Sequence, residues 1–138
     1  MHTPVLIVGG GPVGTFSALL LASYGVRSIV LERRPTINPH PKSRSVSRRT
    51  MEVMRGLGVT DAQLEAISLP ATWTKSLIYT TTATGVEIGR VPCPDFESVP
   101  IVDSPSTPHM SSQEKYEKVL RDLADANTLI EFKVNSTV

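Results

Sequence analysis

Apolar residues enter this chain as a short unbroken run, Val5-Leu6-Ile7-Val8, and stop at Gly9-Gly10-Gly11-Pro12. Such a run, β-branched residues with one leucine, predicts a parallel strand buried on both faces. The pattern then changes to helical spacing. Phe16, Leu19, Leu20 and Ser23 form one mostly apolar face, and Ala18, Leu21 and Ala22 fill the other side. This predicts a helix from Pro12 to about Tyr24, covered on most sides. Pro12 suits the first turn, where its missing N–H has no intrahelical partner, and Gly25 is a natural stop. Ser28 to Glu32 reads as a second strand.

Beyond Arg33 the pattern loosens. Pro35, Pro39 and Pro41 predict an extended loop. A short helix is expected from about Ser47 to Leu57, ending at Gly58, and a weaker one over Asp61 to Ile67. Ser76 to Thr82 and Val86 to Val91, joined through Thr84-Gly85, predict a β-hairpin. Residues 92 to 108 carry five prolines and read as a long irregular loop. A last helix follows, with Ser111 and Glu114 spaced as a capping box and Tyr116, Val119, Leu120 and Leu123 as its buried stripe. Thr128 to Val134 reads as a final strand.

With 138 residues the chain has the size of one domain. Lys and Arg number 14 against 13 Asp and Glu, so overall charge points to neither nucleic acid nor a membrane surface. Residues 1 to 26 contain no Asp, Glu, Lys or Arg, yet the glycines and Pro12 in their midst break any spanning helix. No basic residue precedes the apolar run, as a signal peptide would require. The single Cys93 excludes an internal disulfide and a cysteine cluster, and makes a cytoplasmic setting the expectation. His2, His40 and His109 are scattered, without metal-ligand spacing, so no metal is expected.

The strand, glycine turn, helix and second strand carry the chemistry. Gly9 allows the bend after the strand, Gly11 lets a pyrophosphate approach the backbone, and Gly14 lets the helix pack close to the sheet. The helix start offers free N–H groups and partial positive charge to phosphates. Glu32 lies 18 positions beyond Gly14, at the end of the second strand. There its carboxylate can accept from a ribose 2′-hydroxyl and would repel a 2′-phosphate. Strand, glycines, helix, strand and acid in this order are the layout of a dinucleotide-binding βαβ unit. Eight basic residues crowd the stretch from Arg27 to Arg55 against Glu32 and Glu52 alone. Most read as a solvated surface, with one or two placed to reach phosphates or an anionic substrate. Interleaved aromatics for nucleic-acid stacking are lacking.

Two further segments narrow the reading. Pro41-Lys42-Ser43-Arg44 with Arg49-Thr50-Met51-Glu52-Val53-Met54-Arg55-Gly56-Leu57-Gly58 resembles the FAD-dependent aromatic hydroxylases, the single-component flavoprotein monooxygenases that include phenol and polyketide hydroxylases. Met110 to Arg121 is similar to that family's S-Q-x-x-L-E-x-x-L-R helix, with Tyr116 in place of the usual Leu. The resemblance implies an α/β, Rossmann-like βαβ FAD-binding fold with a parallel sheet and a β-hairpin insertion at about 70–108. It implies that Gly9, Gly11, Pro12 and Gly14 hold the FAD pyrophosphate and Glu32 the adenosine ribose. Arg33 would lie along the adenosine, Arg44 would reach back to the phosphates or ribityl chain, and Gln113 would bond the ribityl chain near the flavin.

In that family NAD(P)H and O₂ are consumed and an aromatic ring gains a hydroxyl group. Its full members are several hundred residues long, with a later Gly-Asp segment and a β-rich substrate part. The expectation is therefore a truncated, N-terminal part of an FAD-binding domain, with the substrate part and later FAD segment absent. No catalytic acid or base is assigned. A small aromatic substrate is expected for the full-length form, and self-association through open sheet edges for the isolated chain. Two other readings stay open: a non-catalytic remnant, and an NAD-binding domain of a dehydrogenase, which the glycine turn and Glu32 fit equally well.

Overall fold

A computed structural model describes residues 4–40, 42–93 and 104–138. Its centre is a parallel sheet of β1 (Val5–Val8), β2 (Ser28–Leu31) and β7 (Ile130–Lys133), in the order β1-β2-β7. The register sets Val8 beside Leu31 and Leu31 beside Lys133, so all three strands finish at the same edge. Helix α1 (Pro12–Ser23) joins β1 to β2, and α4 (Gln113–Asp125) leads into β7. The two helices pack against each other and on the sheet. This is a parallel α/β sheet with crossover helices, the Rossmann-like βαβ layout that the strand and helix periods predict.

The remaining elements lie between β2 and α4 in the chain. A two-residue ribbon pairs β3 (Ser45–Val46) with β6 (His109–Met110). Between them come α2 (Arg48–Gly56), α3 (Asp61–Ile67), a 3₁₀ turn (Ala71–Trp73) and the hairpin β4 (Ser76–Thr80) and β5 (Glu87–Pro92). The turn at Thr84-Gly85 closes as expected: Thr81 N–H donates to the Val86 carbonyl and Gly85 N–H to that of Thr82, each at 3.0 Å. The core runs between helices. Leu19, Met51, Met54, Val59, Leu64, Tyr116, Leu120 and Ala124 form one buried cluster, with Phe132 and Ile130 packed against it from the sheet.

Several expectations need correction. β1 is not buried on both faces. α1 and α4 share one face, and on the other Leu6 and Val8 are 55% and 65% exposed. The apolar pattern of β1 records a two-sided burial that the described residues supply on one side only. In α1 the buried residues are Thr15, Ala18, Leu19 and Ala22, whereas Leu20 and Ser23 face outward. Small residues point inward because α1 lies close to its neighbours. β2 ends at Leu31 and β7 spans Ile130–Lys133, both shorter than expected.

The capping box falls at a different helix. Thr60 and Gln63 close the start of α3, with Thr60 N–H donating to Gln63 Oε1 at 2.9 Å and Gln63 N–H to Thr60 Oγ1 at 3.3 Å. Ser111 instead sends its hydroxyl to the Ile67 carbonyl and its N–H to the Arg44 carbonyl. α4 therefore begins one residue later, with Ser112 at the cap position and its hydroxyl on the Glu114 carboxylate. Just past the expected 92–108 loop, His109 and Met110 pair with Val46 and Ser45 as a short strand that was not expected. Pro94 and Pro100 of that loop, with Pro41 and His2, lie outside the described residues.

Leu120 is fully buried where the helices meet. Leu120→Ala is expected to lower the unfolding free energy by about 2–5 kcal/mol, the usual cost of a core cavity. Val8→Ala, on the bare face, costs under about 1 kcal/mol by the same burial argument. Urea unfolding of both variants checks the contrast, and equal losses would place the core elsewhere.

Candidate dinucleotide site at the glycine turn

The site is built where β1 gives way to α1. Gly9 takes φ = +105°, a left-handed conformation that only glycine adopts without strain. Its N–H donates to the Leu31 carbonyl at 2.8 Å, extending the β1–β2 pairing by one bond. The turn then brings α1 hard against its own strand. A Cβ at Gly14 would lie 1.9 Å from the Gly9 carbonyl oxygen and 3.3 Å from Ile7 Cγ2. Gly14 is thus the close-packing glycine that the motif predicts.

Gly11 differs. A Cβ there would meet nothing of the chain nearer than Glu117 Oε1, at 3.6 Å. The chain's own packing therefore does not require glycine here, whereas an incoming group lying on the backbone would. Gly11 is also the N-cap of α1. It offers no side-chain cap, Pro12 follows, and the first turn holds no acidic residue. The first-turn N–H groups are left to an external acceptor.

Glu32 closes the cleft from the second strand. Its Oε2 accepts from Gly10 N–H at 2.7 Å and its Oε1 from Arg34 N–H at 2.9 Å. Burial by itself pushes its pKa up. The N–H groups of Arg34 and Gly10 and the charges of Arg34 and Arg33 outweigh that and hold the carboxyl below its ordinary value of 4.5. Two bonds leave acceptor positions on the carboxylate for a ligand hydroxyl. A Cβ at Gly10 would lie 2.9 Å from Glu32 Cβ and 3.1 Å from the Phe132 ring, so this third glycine seats the acid.

The far wall comes from α4. Gln113 Nε2 donates to Glu117 Oε1 at 2.9 Å. Arg121, one turn on, stacks its guanidinium 3.5 Å from the Phe132 ring centre and bonds Asp125 at 2.9 Å. Gly10, Gly11, Glu32, Arg34, Glu117 and Arg121 all line one cleft of about 50 Å³.

Of the sequence-predicted residues, Gly9, Gly11, Pro12, Gly14 and Glu32 converge here, and Gln113 joins them through Glu117. Arg33 is exposed beside Glu32. Arg44 is placed near Gln113 by its backbone, whose carbonyl accepts from Ser111 N–H at 3.0 Å, while its side chain is exposed and lines neither cavity. Sequence reasoning passed over Gly10, Arg34, Glu117 and Arg121. Gly10 was visible as the middle glycine of three, and Glu117 as the residue one helical turn after Gln113.

A larger cavity of about 500 Å³ lies among Met51, Arg55, Leu64, Ser68 and His109, away from the glycine turn. Its polar groups already answer one another. Arg55 holds Asp61 at 3.1 Å and the Pro105 carbonyl at 2.6 Å, and His109 sits between the hydroxyls of Ser68 and Tyr116. The small cleft, with its uncapped helix start, is the better candidate for an anionic ligand. Among the described residues there is no group of His, Cys, Asp or Glu able to hold a metal ion, and no helix long and apolar enough to cross a membrane.

Two outcomes follow from this geometry. Gly14→Ala is expected to unfold at markedly lower temperature than Gly11→Ala, which stays near the parent; a thermal melt of each decides, and equal melting would break the close-packing argument. The Glu32 carboxyl is held low in the folded chain, so its bonds stabilise the fold above pH 4.5 and that contribution fades as pH falls through the folded value. The stability gap between the parent and Glu32→Gln should accordingly be widest near neutrality and close in acid. Urea unfolding at a series of pH values measures it.

Comparison with known proteins shows the family. The family described as FAD binding domain matches residues 2–138. The FAD-dependent monooxygenase apdD of Emericella nidulans is 36% identical over 138 residues, covering 94% of this chain and 22% of that protein. The 2,4-dichlorophenol 6-monooxygenase of Delftia acidovorans is 43% identical over 91 residues, covering 66% of this chain and 15% of its own length. The structure of the flavin-dependent monooxygenase PieE in complex with FAD and substrate superposes with a TM-score of 0.83 at 28% identity, over 98% of this chain and 24% of that one. The chain thus spans less than a quarter of each of these relatives. It belongs to the FAD binding domain family of the FAD-dependent aromatic and polyketide monooxygenases.

Proposed function

We propose that this chain binds FAD across the glycine turn, as the N-terminal FAD-binding part of a monooxygenase that hydroxylates an aromatic or polyketide-like ring with NAD(P)H and O₂. The observation that carries the reading is the open backbone at Gly11 above an uncapped helix start, with an ionised Glu32 beside it. Gly9, Gly11, Pro12 and Gly14 shape the pyrophosphate seat. Glu32 accepts from the adenosine ribose with the lone pairs that Gly10 and Arg34 leave free. Arg33 lies along the adenosine, Arg44 supplies positive charge towards the phosphates or ribityl chain, and Gln113 bonds the ribityl chain.

FAD, when bound, supplies the redox chemistry. The residues described here bind and orient, and none is assigned as a catalytic acid or base. The relatives' substrates, named as a chlorophenol in one case, support a small aromatic ring as substrate of the whole enzyme. A cytosolic setting agrees with the lone, free Cys93.

Purified chain loaded with FAD and freed of excess is expected to keep a flavin absorption spectrum, and Gly11→Asp to lose it. The new carboxylate would stand where the pyrophosphate lies and next to Glu117, while the packing leaves room for the fold. A folded chain that retains no flavin would favour the non-catalytic reading.

A further inference from the structure

Glu117 is a carboxylate that neither the glycine motif nor the Glu32 site uses. It is 8% exposed, on the buried side of α4, yet it lines the ligand cleft. Its Oε1 does two things at once. It accepts from Gln113 Nε2 at 2.9 Å, and it is the nearest atom of the chain to the space above Gly11, 3.6 Å from where a Cβ would stand. Gln113 and Glu117 are four residues apart on one helix and so share a face.

A glutamine amide has two unlike ends, a carbonyl that accepts and an NH₂ that donates. An isolated Gln113 could present either end to a ligand. A carboxylate beside it removes the choice, because an ionised carboxylate only accepts. The NH₂ must turn to Glu117, and the carbonyl is left for the ligand. Burial strengthens this: water does not compete for the bond, and a charge-assisted bond is stronger than a neutral one.

We propose that Glu117 is a positioning residue that fixes the amide of Gln113 so that its carbonyl oxygen accepts from a hydroxyl of the bound cofactor's ribityl chain. The inference rests on the FAD reading above and deepens it. It also fixes the chemistry of the ligand next to α4. A carbonyl and a carboxylate together welcome hydroxyl donors and disfavour a phosphate, so the diphosphate is confined to the α1 side and a neutral polyol must follow it.

The test is a double-mutant cycle on the full chain, read by FAD titration, with ADP as a ligand that has the diphosphate and lacks the ribityl chain. Glu117→Ala and Gln113→Ala are each expected to weaken FAD by up to about tenfold, the upper end of the effect of one hydrogen bond between neutral groups. The double variant is expected to be no weaker than Gln113→Ala alone, since Glu117 acts through Gln113. Glu117→Gln keeps an acceptor carbonyl and the shape of the site, and should recover FAD affinity to within about threefold on the same scale. ADP affinity should not fall in any of them.

The NMR signal of the Gln113 side-chain NH₂, identified by its loss in Gln113→Ala, gives a readout without ligand. It should move in Glu117→Ala and return in Glu117→Gln. An unmoved signal, additive losses for FAD, or a parallel loss of ADP would each overturn the proposal. No FAD binding by the unsubstituted chain would overturn the cofactor reading and the ligand half of this inference. The NH₂ signal would still decide whether Glu117 orients Gln113.

Discussion

The structure turns on how closely α1 approaches the strand that precedes it. At Gly14 the helix backbone comes so near the Gly9 carbonyl that even a methyl group would overlap it, at 1.9 Å. That contact fixes the direction in which the helix leaves the sheet. It points the first turn across the ends of the strands, at the edge where β1 and β2 finish together. The bond from Gly9 N–H to Leu31 then places residue 32 opposite the turn, and Gly10 N–H takes hold of the Glu32 carboxylate. A positive helix end and a fixed negative charge are thus set side by side by backbone geometry alone.

The second wall arrives from far along the chain. Ser111 is fully buried, with its hydroxyl on the Ile67 carbonyl and its N–H on the Arg44 carbonyl. Together with the β3–β6 ribbon, these bonds tie the segment after the second strand to the start of α4. Leu120, Tyr116 and Ala124 then sink into the helical core, and this sets the rotation of α4. Gln113 and Glu117 face the glycine turn because the apolar residues of the same helix must face the core. The cleft is therefore a by-product of packing on one side and of backbone bonding on the other.

This division explains what could be read from the residues in advance. β1, α1, β2 and the glycine turn are local. Their order, near-bounds and the 18-residue spacing to Glu32 are printed in consecutive sequence and recur in the structure, while the burial of β1 and of Leu20 does not. The bounds of α2, α3 and the hairpin came through for the same reason. The failures are non-local. Ser111 has the spacing of a cap, but its hydroxyl has a better partner 44 residues away, at Ile67. His109 and Met110 follow the proline-rich stretch without any strand pattern of their own, and become a strand only because Ser45 and Val46 are brought beside them. The exposed Leu6 and Val8 look like core residues in sequence, because periodicity records which positions are apolar and not what covers them. Glu117 is charged and so reads as a surface residue. Only its neighbours Tyr116 and Leu120 show that the helix carries it inward.

The electrostatics of the cleft select the layout of a ligand as well as its sign. The start of α1 carries partial positive charge with no acidic residue in its first turn. Glu32 stands on the Gly10 side of it, and Glu117 on the Gly11 side. An anion is therefore welcome only over the turn itself, and on both sides the ligand must offer hydrogen-bond donors in place of further negative charge. A lone polyphosphate would meet repulsion at either end. A molecule with a diphosphate at its centre and a hydroxylated sugar or polyol on each flank meets none, and FAD has that order of groups: ribose, diphosphate, ribityl chain. In the proposed reading a 2′-phosphorylated ribose fails at Glu32, since its extra charge would meet a carboxylate whose ionised form two backbone amides favour. On the same reading, dinucleotide recognition rests on the alternation of one positive helix end between two carboxylates, and the three glycines are what allow those groups to stand so close.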